Sequence, residues 1–312
     1  MRVEEDFKQR ERPAGHMDVT FQKYPDLKDY LDEVSTSVAA TLDTKSIVLF
    51  GGIALDDFSR RYSDIDLVVV LKTGLSEKNH QDIEKLIDTL REIDLVYTGL
   101  LYVYFIPISM LESPSAEFNP NDGLIFGNGR MRPINQYPLS ITDNYSIREK
   151  GKILFGEDLR KRFPEPPTDF FWEMFIHSLP YIEQAIQKHP FQFNEEYNDH
   201  TTVNWLLYFP RLLYSLVKDD LIGKSDSASW FQEQYDDSLA NFLVEIARCR
   251  RENTALANDK DLVLNSRKIV LFTLEKILEF RGVESRLSDL VSIDSVETDF
   301  YPVISEFRES IG

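Results

Sequence analysis

The sequence predicts an α/β (α+β) domain built on a small mixed sheet, followed by an all-α helical bundle. Three observations lead there. Short β-branched runs alternate with amphipathic helical segments through the first half; Pro164, Pro166 and Pro167 crowd one short segment; from Thr168 onward the apolar spacing is helical. At 312 residues the chain has room for about two domains of ordinary size. A helix cannot run through three prolines, so the division is placed near residue 165, giving domains 1–165 and 166–312.

The elements follow in order. Leu27, Tyr30, Leu31, Val34 and Val38 recur at helical spacing, so 27–42 is read as a helix, and 46–50 as a short buried strand. Gly51-Gly52 breaks that strand, a short segment runs to Phe58, and 64–71 is a second strand dense in β-branched residues. Ile83, Leu86, Ile87, Leu90 and Ile93 mark a crossover helix over 78–93, and 100–108 is a third strand closed by Pro107. Asn119, Pro120, Asn121, Gly123, Gly127, Gly129 and Pro133 make 112–137 look like an extended loop, long enough for a lid. Beyond Thr168, a suitable N-cap, helices are expected over 168–188, 201–217, 225–234, 236–251 and 259–281, the last stopped by Gly282.

Apolar residues at 42% and charged residues at 28% describe an ordinary globular chain, which excludes collagen-like and wholly disordered readings. Acidic residues number 53 against 35 basic, a net charge of −18 that repels phosphate backbones and anionic headgroups. Neither nucleic acid nor membrane is therefore expected as a partner. A metal-chelated nucleotide or a cationic small molecule suits that field. The single cysteine, Cys249, forms no internal disulfide, which fits a cytoplasmic protein. Residues 1–15 are charged at nearly every second position and lack the apolar centre of a signal peptide. No apolar run approaches about 18 residues; 205–217 is interrupted by Pro210 and Arg211. A monomer is expected.

The segment that carries chemistry is Leu49-Phe50-Gly51-Gly52, followed after eleven residues by Asp64-Ile65-Asp66-Leu67-Val68-Val69. Aspartates at i and i+2 of a strand project from one face with Cα atoms about 6.5 to 7 Å apart, so both carboxylates reach one space. Mg²⁺ takes oxygen ligands and is commonly held by one or two carboxylates plus substrate phosphates. Gly51 and Gly52 lack Cβ and let a phosphate approach backbone N–H groups where strand turns to helix. Ser63 offers a hydroxyl to a phosphate oxygen. Two metal ions roughly 3.5 to 4 Å apart would clamp an in-line displacement at phosphorus. The plainer reading makes Asp64 and Asp66 surface residues and Gly51-Gly52 a simple turn. There is no G-x-x-x-x-G-K-[ST], and Gly127-Asn128-Gly129 lacks the third glycine of a dinucleotide fingerprint.

At these residues the chain resembles the nucleotidyltransferase superfamily, whose pattern is Gly-Gly or Gly-Ser, a spacer, then Asp-x-Asp on the next strand. A closer resemblance, over most of the chain, is to the aminoglycoside adenylyltransferases that modify streptomycin and spectinomycin, in which a helical domain follows the catalytic one. Lys152-Ile153-Leu154-Phe155-Gly156 looks like their linker region, and Arg211-Leu212-Leu213-Tyr214-Ser215, Lys224 and Trp230 are similar to their helix and the loop after it. The resemblance implies that ATP is the donor, that Asp64 and Asp66 hold Mg²⁺, and that Lys224 contacts the phosphates. A lysine is a suitable point charge for a triphosphate, although a solvated loop lysine is the alternative. Arg211 and Asn204, seven residues apart, share a helix face toward the cleft; Arg211 reads equally as a structural ion-pair partner.

Two departures stand out. A third carboxylate, which in that family helps deprotonate the acceptor hydroxyl, is expected on the strand that here carries Tyr102; a phenol with an ordinary pKa near 10 is a poor base. Asp94 and Glu112 flank that strand as substitutes. Thr201 and Thr202 stand where those enzymes place acidic residues for the antibiotic, with Glu195, Glu196 and Asp199 just upstream. Tyr102, Asn204, Glu196 and Asp199 are thus candidate acceptor contacts. The function expected is transfer of AMP from ATP to a hydroxyl of a small, aminoglycoside-like acceptor with release of pyrophosphate. The alternatives are a catalytically impaired nucleotide-binding module and nucleotidylation of a protein hydroxyl. The five histidines show no metal-ligand spacing, and His200 alone lies near the proposed cleft.

Overall fold

The structure, a computed structural model, describes residues 19–119, 121–187, 199–235, 238–257 and 260–279. A short helix α1 (Val19–Lys23) leads into α2 (Pro25–Thr41), which starts on a proline and buries Leu27, Tyr30, Leu31, Val34 and Val38 as one stripe. Then come β1 (Thr44–Phe50), the single-turn α3 (Gly51–Ala54), β2 (Ile65–Leu71), α4 (Glu77–Ile93), α5 (Leu95–Leu100) and β3 (Leu101–Pro107). Next are α6 (Ile108–Glu112), β4 (Gly123–Gly127), β5 (Arg130–Ile134), α7 (Ile141–Lys150) and β6 (Lys152–Gly156). Past a 3₁₀ turn at Arg160–Arg162 the described chain is helical: α8 (Phe170–Gln187), α9 (Asp199–Lys218), α10 (Lys224–Tyr235), α11 (Ser238–Glu252) and α12 (Lys260–Glu279). The ends predicted at residues 188, 236, 259 and 281 lie outside the described residues.

One mixed sheet runs in the order β5-β4-β3-β2-β1-β6, with β2 and β3 parallel and the other pairs antiparallel. Side chains alternate between its faces. Leu49, Leu67, Val69, Val103 and Phe105 pack under α2, α4 and α5, whereas Val48, Phe50, Val68, Val70 and Ile106 pack under α6 and α7. Asp66 is the polar exception on that second face, where the valines around it keep β2 pinned in register. The helices from α8 onward form a separate apolar cluster, into which the loop between α3 and β2 inserts Leu55 and Tyr62. That insertion ties the loop leading into Asp64 to the helices.

The 112–137 region corrects the expectation of an extended lid. Gly123–Gly127 pairs with β3 and turns through Asn128 (φ 53°) and Gly129 (φ 69°) into β5, adding a hairpin to the sheet. Two successive positive φ angles at Asn-Gly give the hairpin turn whose twist matches its strands. Pro133 is tolerated because β5 is an edge strand. Helix α5 was also unread: Asp94 ends α4 and, by accepting from the Tyr97 N–H at 2.8 Å, caps the next helix at once. Among the described residues no helix is long and apolar enough to cross a membrane.

Candidate active site

Asp64 lies just before β2 and Asp66 is its second residue, so both reach the end of the sheet where β1 turns into α3. Gly51 adopts φ +68°, a region that disfavours any side chain, and a Cβ there would lie 2.1 Å from the Asp66 Oδ2. The Asp66 carboxylate therefore rests directly against Gly51. Because α3 is a single turn, its dipole is small, and the Gly51 N–H is donated to the Ser146 hydroxyl at 3.2 Å. The glycine's main effect here is steric: it admits the carboxylate.

A cavity of about 220 Å³ is lined by Gly51, Gly52, Ser63, Asp64 and Asp66 on one wall and by Asn204, Arg211, Gly223, Lys224 and Arg250 on the other. Thr142, Asp143 and Ser146, at the start of α7, complete it. It adjoins a space of about 450 Å³ through Thr142 and Arg211, and one of about 310 Å³ through Asn204 and Lys224. Tyr208 and Ser178 line both larger spaces, and Trp205 lines the second of them. Trp172 and Trp230 belong to the helical core instead.

Apart from Arg250 and Asp57, the charges in the cavity are set against one another without an ion pair among the described residues. Asp66 has no hydrogen-bond or ion-pair partner among the described residues, and burial, with Asp64 and Asp143 nearby, pushes it up to about 8. Lys224 donates to the Asn204 Oδ1 at 2.8 Å and, among the described residues, meets no carboxylate at hydrogen-bond distance. Burial, then Arg250 and Arg211, push it down to about 7. Burial likewise lowers Arg211, whose Nε is sealed from solvent with no acceptor. Arg211 has no ion-pair partner among the described residues, although Asp57 lies near enough to offset part of the effect of burial.

Arg250 is the opposite case. Its Nε reaches the Asp57 Oδ2 at 3.3 Å, Nη1 the Tyr62 carbonyl at 2.7 Å and the Asn204 Oδ1 at 3.1 Å, and Nη2 the Asp57 carbonyl at 3.0 Å and the Ser63 Oγ at 2.7 Å. A guanidinium has five N–H donors, and all of them are used. Arg250 thus fixes the loop leading into Asp64 and has no donor left for a ligand. Ser63 Oγ accepts from Arg250 and from the Ser59 N–H at 3.0 Å, which occupies both lone pairs and leaves its own hydrogen to give. Asn204 is committed too: its Nδ2 donates to the Tyr62 carbonyl at 2.9 Å and the His200 carbonyl at 3.1 Å. His200 stacks on Tyr62, and burial lowers its pKa.

The remaining sequence candidates lie elsewhere. Tyr102 does not line the carboxylate cavity; its ring lies over Gly127, where a Cβ would meet it at 2.5 Å, and its hydroxyl accepts from Arg132 at 2.7 Å. Asp199 pairs with Arg61 at 2.6 Å and accepts from the Tyr62 hydroxyl at 3.2 Å. Glu195 and Glu196 lie outside the described residues. Asp94 caps α5, and Glu112 pairs with Arg162 at 2.8 Å, so neither substitute carboxylate reaches the cavity. Cys249 is free and buried.

Asp143, Asp57 and Arg250 were not singled out from the sequence. Asp143 carries a signal in retrospect, the S-x-x-D pattern of Ser140 and Asp143 at a helix start. So does Arg250, which falls seven residues after Leu243 on the buried stripe of α11.

Residues 28–119 match the family described as nucleotidyltransferase domain. No curated protein matches the sequence. Among solved structures the chain is similar to the spectinomycin adenyltransferase AAD(9) from Enterococcus faecialis, solved with ATP and spectinomycin. The TM-score is 0.55 at 16% identity, over 80% of this chain and 99% of that one. The likeness extends past the matched domain into the helices and is one of fold. The match over residues 28–119 and the shared fold together support a transferase with a nucleotidyltransferase domain.

Proposed function

We propose that the protein moves AMP from ATP to a hydroxyl of a small acceptor, releasing pyrophosphate. One observation carries this reading. In a single cavity Asp64 and Asp66 on one wall, and Lys224 and Arg211 on the other, have no ion-pair partner among the described residues. Magnesium-chelated triphosphate supplies both missing charges at once.

The donor set fits a hard divalent ion: Asp64 and Asp66 provide oxygen ligands only, and among the described residues Asp66 has no other partner. Those two residues would hold Mg²⁺, which when bound supplies Lewis-acid polarisation of the phosphoryl oxygens. Arg211 and Lys224 bind the triphosphate from the helical side, and the Ser63 hydroxyl donates to it. Burial makes these contacts stronger than they would be in water. Arg250, holding Ser63, Tyr62, Asp57 and Asn204 together, keeps the two walls in register.

The acceptor occupies the adjoining space. By likeness to AAD(9) it is a hydroxylated small molecule of the aminoglycoside kind. Thr201 and Thr202 stand where acidic contacts to streptomycin and spectinomycin are expected, and Asp199 is engaged by Arg61, so an acceptor less dependent on carboxylates suits this cleft better than those two antibiotics. The test is pyrophosphate release from Mg²⁺–ATP across a panel of hydroxylated acceptors. The wild type should release it with at least one acceptor, and Asp64→Asn should abolish it; an unimpaired Asp64→Asn variant refutes the reading. The competing reading, a binding module without transfer, is favoured by Tyr102 where a carboxylate is expected. It predicts Mg²⁺–ATP binding with no pyrophosphate from any acceptor.

A further inference from the structure

A hydroxyl that attacks phosphorus must give up its hydrogen, and efficient transfer needs a positioned group to take it. β3 offers none. The Tyr102 hydroxyl is bound by Arg132, and Tyr104 is driven far above the ordinary phenol range by burial among Asp143, Tyr102 and Asp66, so it stays protonated.

Asp143 enters the same cavity from a different element. It is the third residue of α7, which lies over the sheet face that carries Asp66, and it lines the cavity beside Asp64 and Asp66. Its two oxygens differ. Oδ2 accepts from the Ser140 backbone N–H at 3.0 Å and the Ser140 hydroxyl at 2.8 Å, which locks the carboxylate in place. Oδ1 has no hydrogen-bond partner among the described residues. Asp143 thus faces the cavity with one oxygen held and the other open. A carboxylate fixed through one oxygen and open through the other, in the cavity that holds Asp64 and Asp66, is placed to meet the acceptor.

We propose that Asp143 is the catalytic residue that receives the acceptor, its free Oδ1 accepting the hydrogen of the incoming hydroxyl. The acceptor oxygen forms its bond to the α-phosphorus, and the bond from that phosphorus to the oxygen bridging the β-phosphate breaks. Pyrophosphate leaves with the electron pair, and the hydroxyl proton passes to Asp143 and from there to solvent. Asp143 thereby supplies from α7 what the position of Tyr102 lacks. This assignment rests on the transfer reading above.

The contrary view is that Asp143 only caps a helix, and two variants separate the roles. Asp143→Asn keeps an oxygen for the Ser140 N–H but cannot take a proton; Ser140→Ala breaks the cap and leaves the carboxylate. Calorimetry with Mg²⁺ and α,β-methylene-ATP should give wild type and Asp143→Asn dissociation constants within about threefold of each other. Pyrophosphate release on the panel should fall at least about 100-fold in kcat for Asp143→Asn with KM for ATP little changed. Ser140→Ala, which removes one of the two bonds to Oδ2 and keeps the backbone N–H, should lose at least about tenfold less in kcat than Asp143→Asn. Asp143→Asn turning over at a near-normal rate, or Ser140→Ala losing as much as Asp143→Asn, overturns the assignment alone. A wild type that binds the nucleotide and releases no pyrophosphate with any acceptor overturns the transfer reading, and this assignment with it.

Discussion

Replacing Gly51 by alanine tests the contact on which the metal-binding geometry depends. An added Cβ would sit 2.1 Å from the Asp66 Oδ2 and 3.0 Å from its Cγ, while ordinary contact begins near 3.4 Å, so the carboxylate must retreat by about 1.3 Å. A non-glycine residue at φ +68° costs about 1–2 kcal/mol, and forcing atoms into a packed site adds about 1–3 kcal/mol. Gly129 is the internal control, having φ +69° with nothing within 4 Å of its would-be Cβ. Both substitutions stiffen the unfolded chain alike, so their difference isolates the collision with Asp66. At roughly 2 °C per kcal/mol for a chain of this size, Gly129→Ala should lower Tm by about 2–4 °C and Gly51→Ala by about 4–10 °C. Displacing a ligand carboxylate by more than about 1 Å should weaken Mg²⁺–ATP function about 100-fold in Gly51→Ala only. Thermal unfolding and nucleotide calorimetry read the two effects. Equal Tm losses with unchanged nucleotide affinity in both variants would refute the argument.

Proton linkage gives a second test. With Asp66 near 8 and Lys224 near 7, both are mostly uncharged at pH 7.5 in the empty cavity. Bound cation then expels a proton from Asp66 and bound phosphate draws one onto Lys224. Calorimetry in buffers of different ionisation enthalpy should show net proton uptake in Asp66→Asn wherever binding survives, and net release in Lys224→Met; the reverse signs contradict the assigned directions. The Asp66 shift also acts on folding. Its folded pKa lies above the ordinary carboxylate value of 3.8, so its contribution is full below about 4 and is lost as pH rises to about 8, and Asp66→Asn should flatten that decline in urea titrations. Arg250→Met leaves Asp57 buried without its partner and should cost about 3–5 kcal/mol, much of it recovered in the Asp57→Asn/Arg250→Met double variant. A double variant no more stable than the single one would place the cost elsewhere.

The carboxylate pair and its glycines were legible because their chemistry is local: Gly51-Gly52, a short spacer and Asp64-x-Asp66 sit within one strand-turn-strand unit. Strands β1, β2 and β3 and the helices from α8 onward were likewise readable from spacing, since burial on one face imposes period two or 3.6 on the apolar residues. The β4–β5 hairpin was hidden by its own turn chemistry. Asn128-Gly129 is a hairpin signal, yet the many Gly, Asn and Pro residues around it mimic a loop, and Pro133 argues against a strand unless the strand is known to be an edge. Helix α5 is too short, and too close behind α4, to show a period. Arg250 and Asp143 depend on long-range packing: Arg250 meets Asp57, Tyr62 and Ser63 across nearly two hundred residues of sequence, and no local pattern reveals how many of its donors are occupied.

The central claim is that Asp64 and Asp66 capture a magnesium-bound triphosphate against Arg211 and Lys224. Calorimetric titration of the full chain with ATP, in the presence of Mg²⁺ and again in EDTA, addresses it most directly. One nucleotide bound per chain with Mg²⁺, and affinity lost both in EDTA and in the Asp64→Asn/Asp66→Asn variant, is the predicted result. Affinity that survives without the metal or without both aspartates would contradict it.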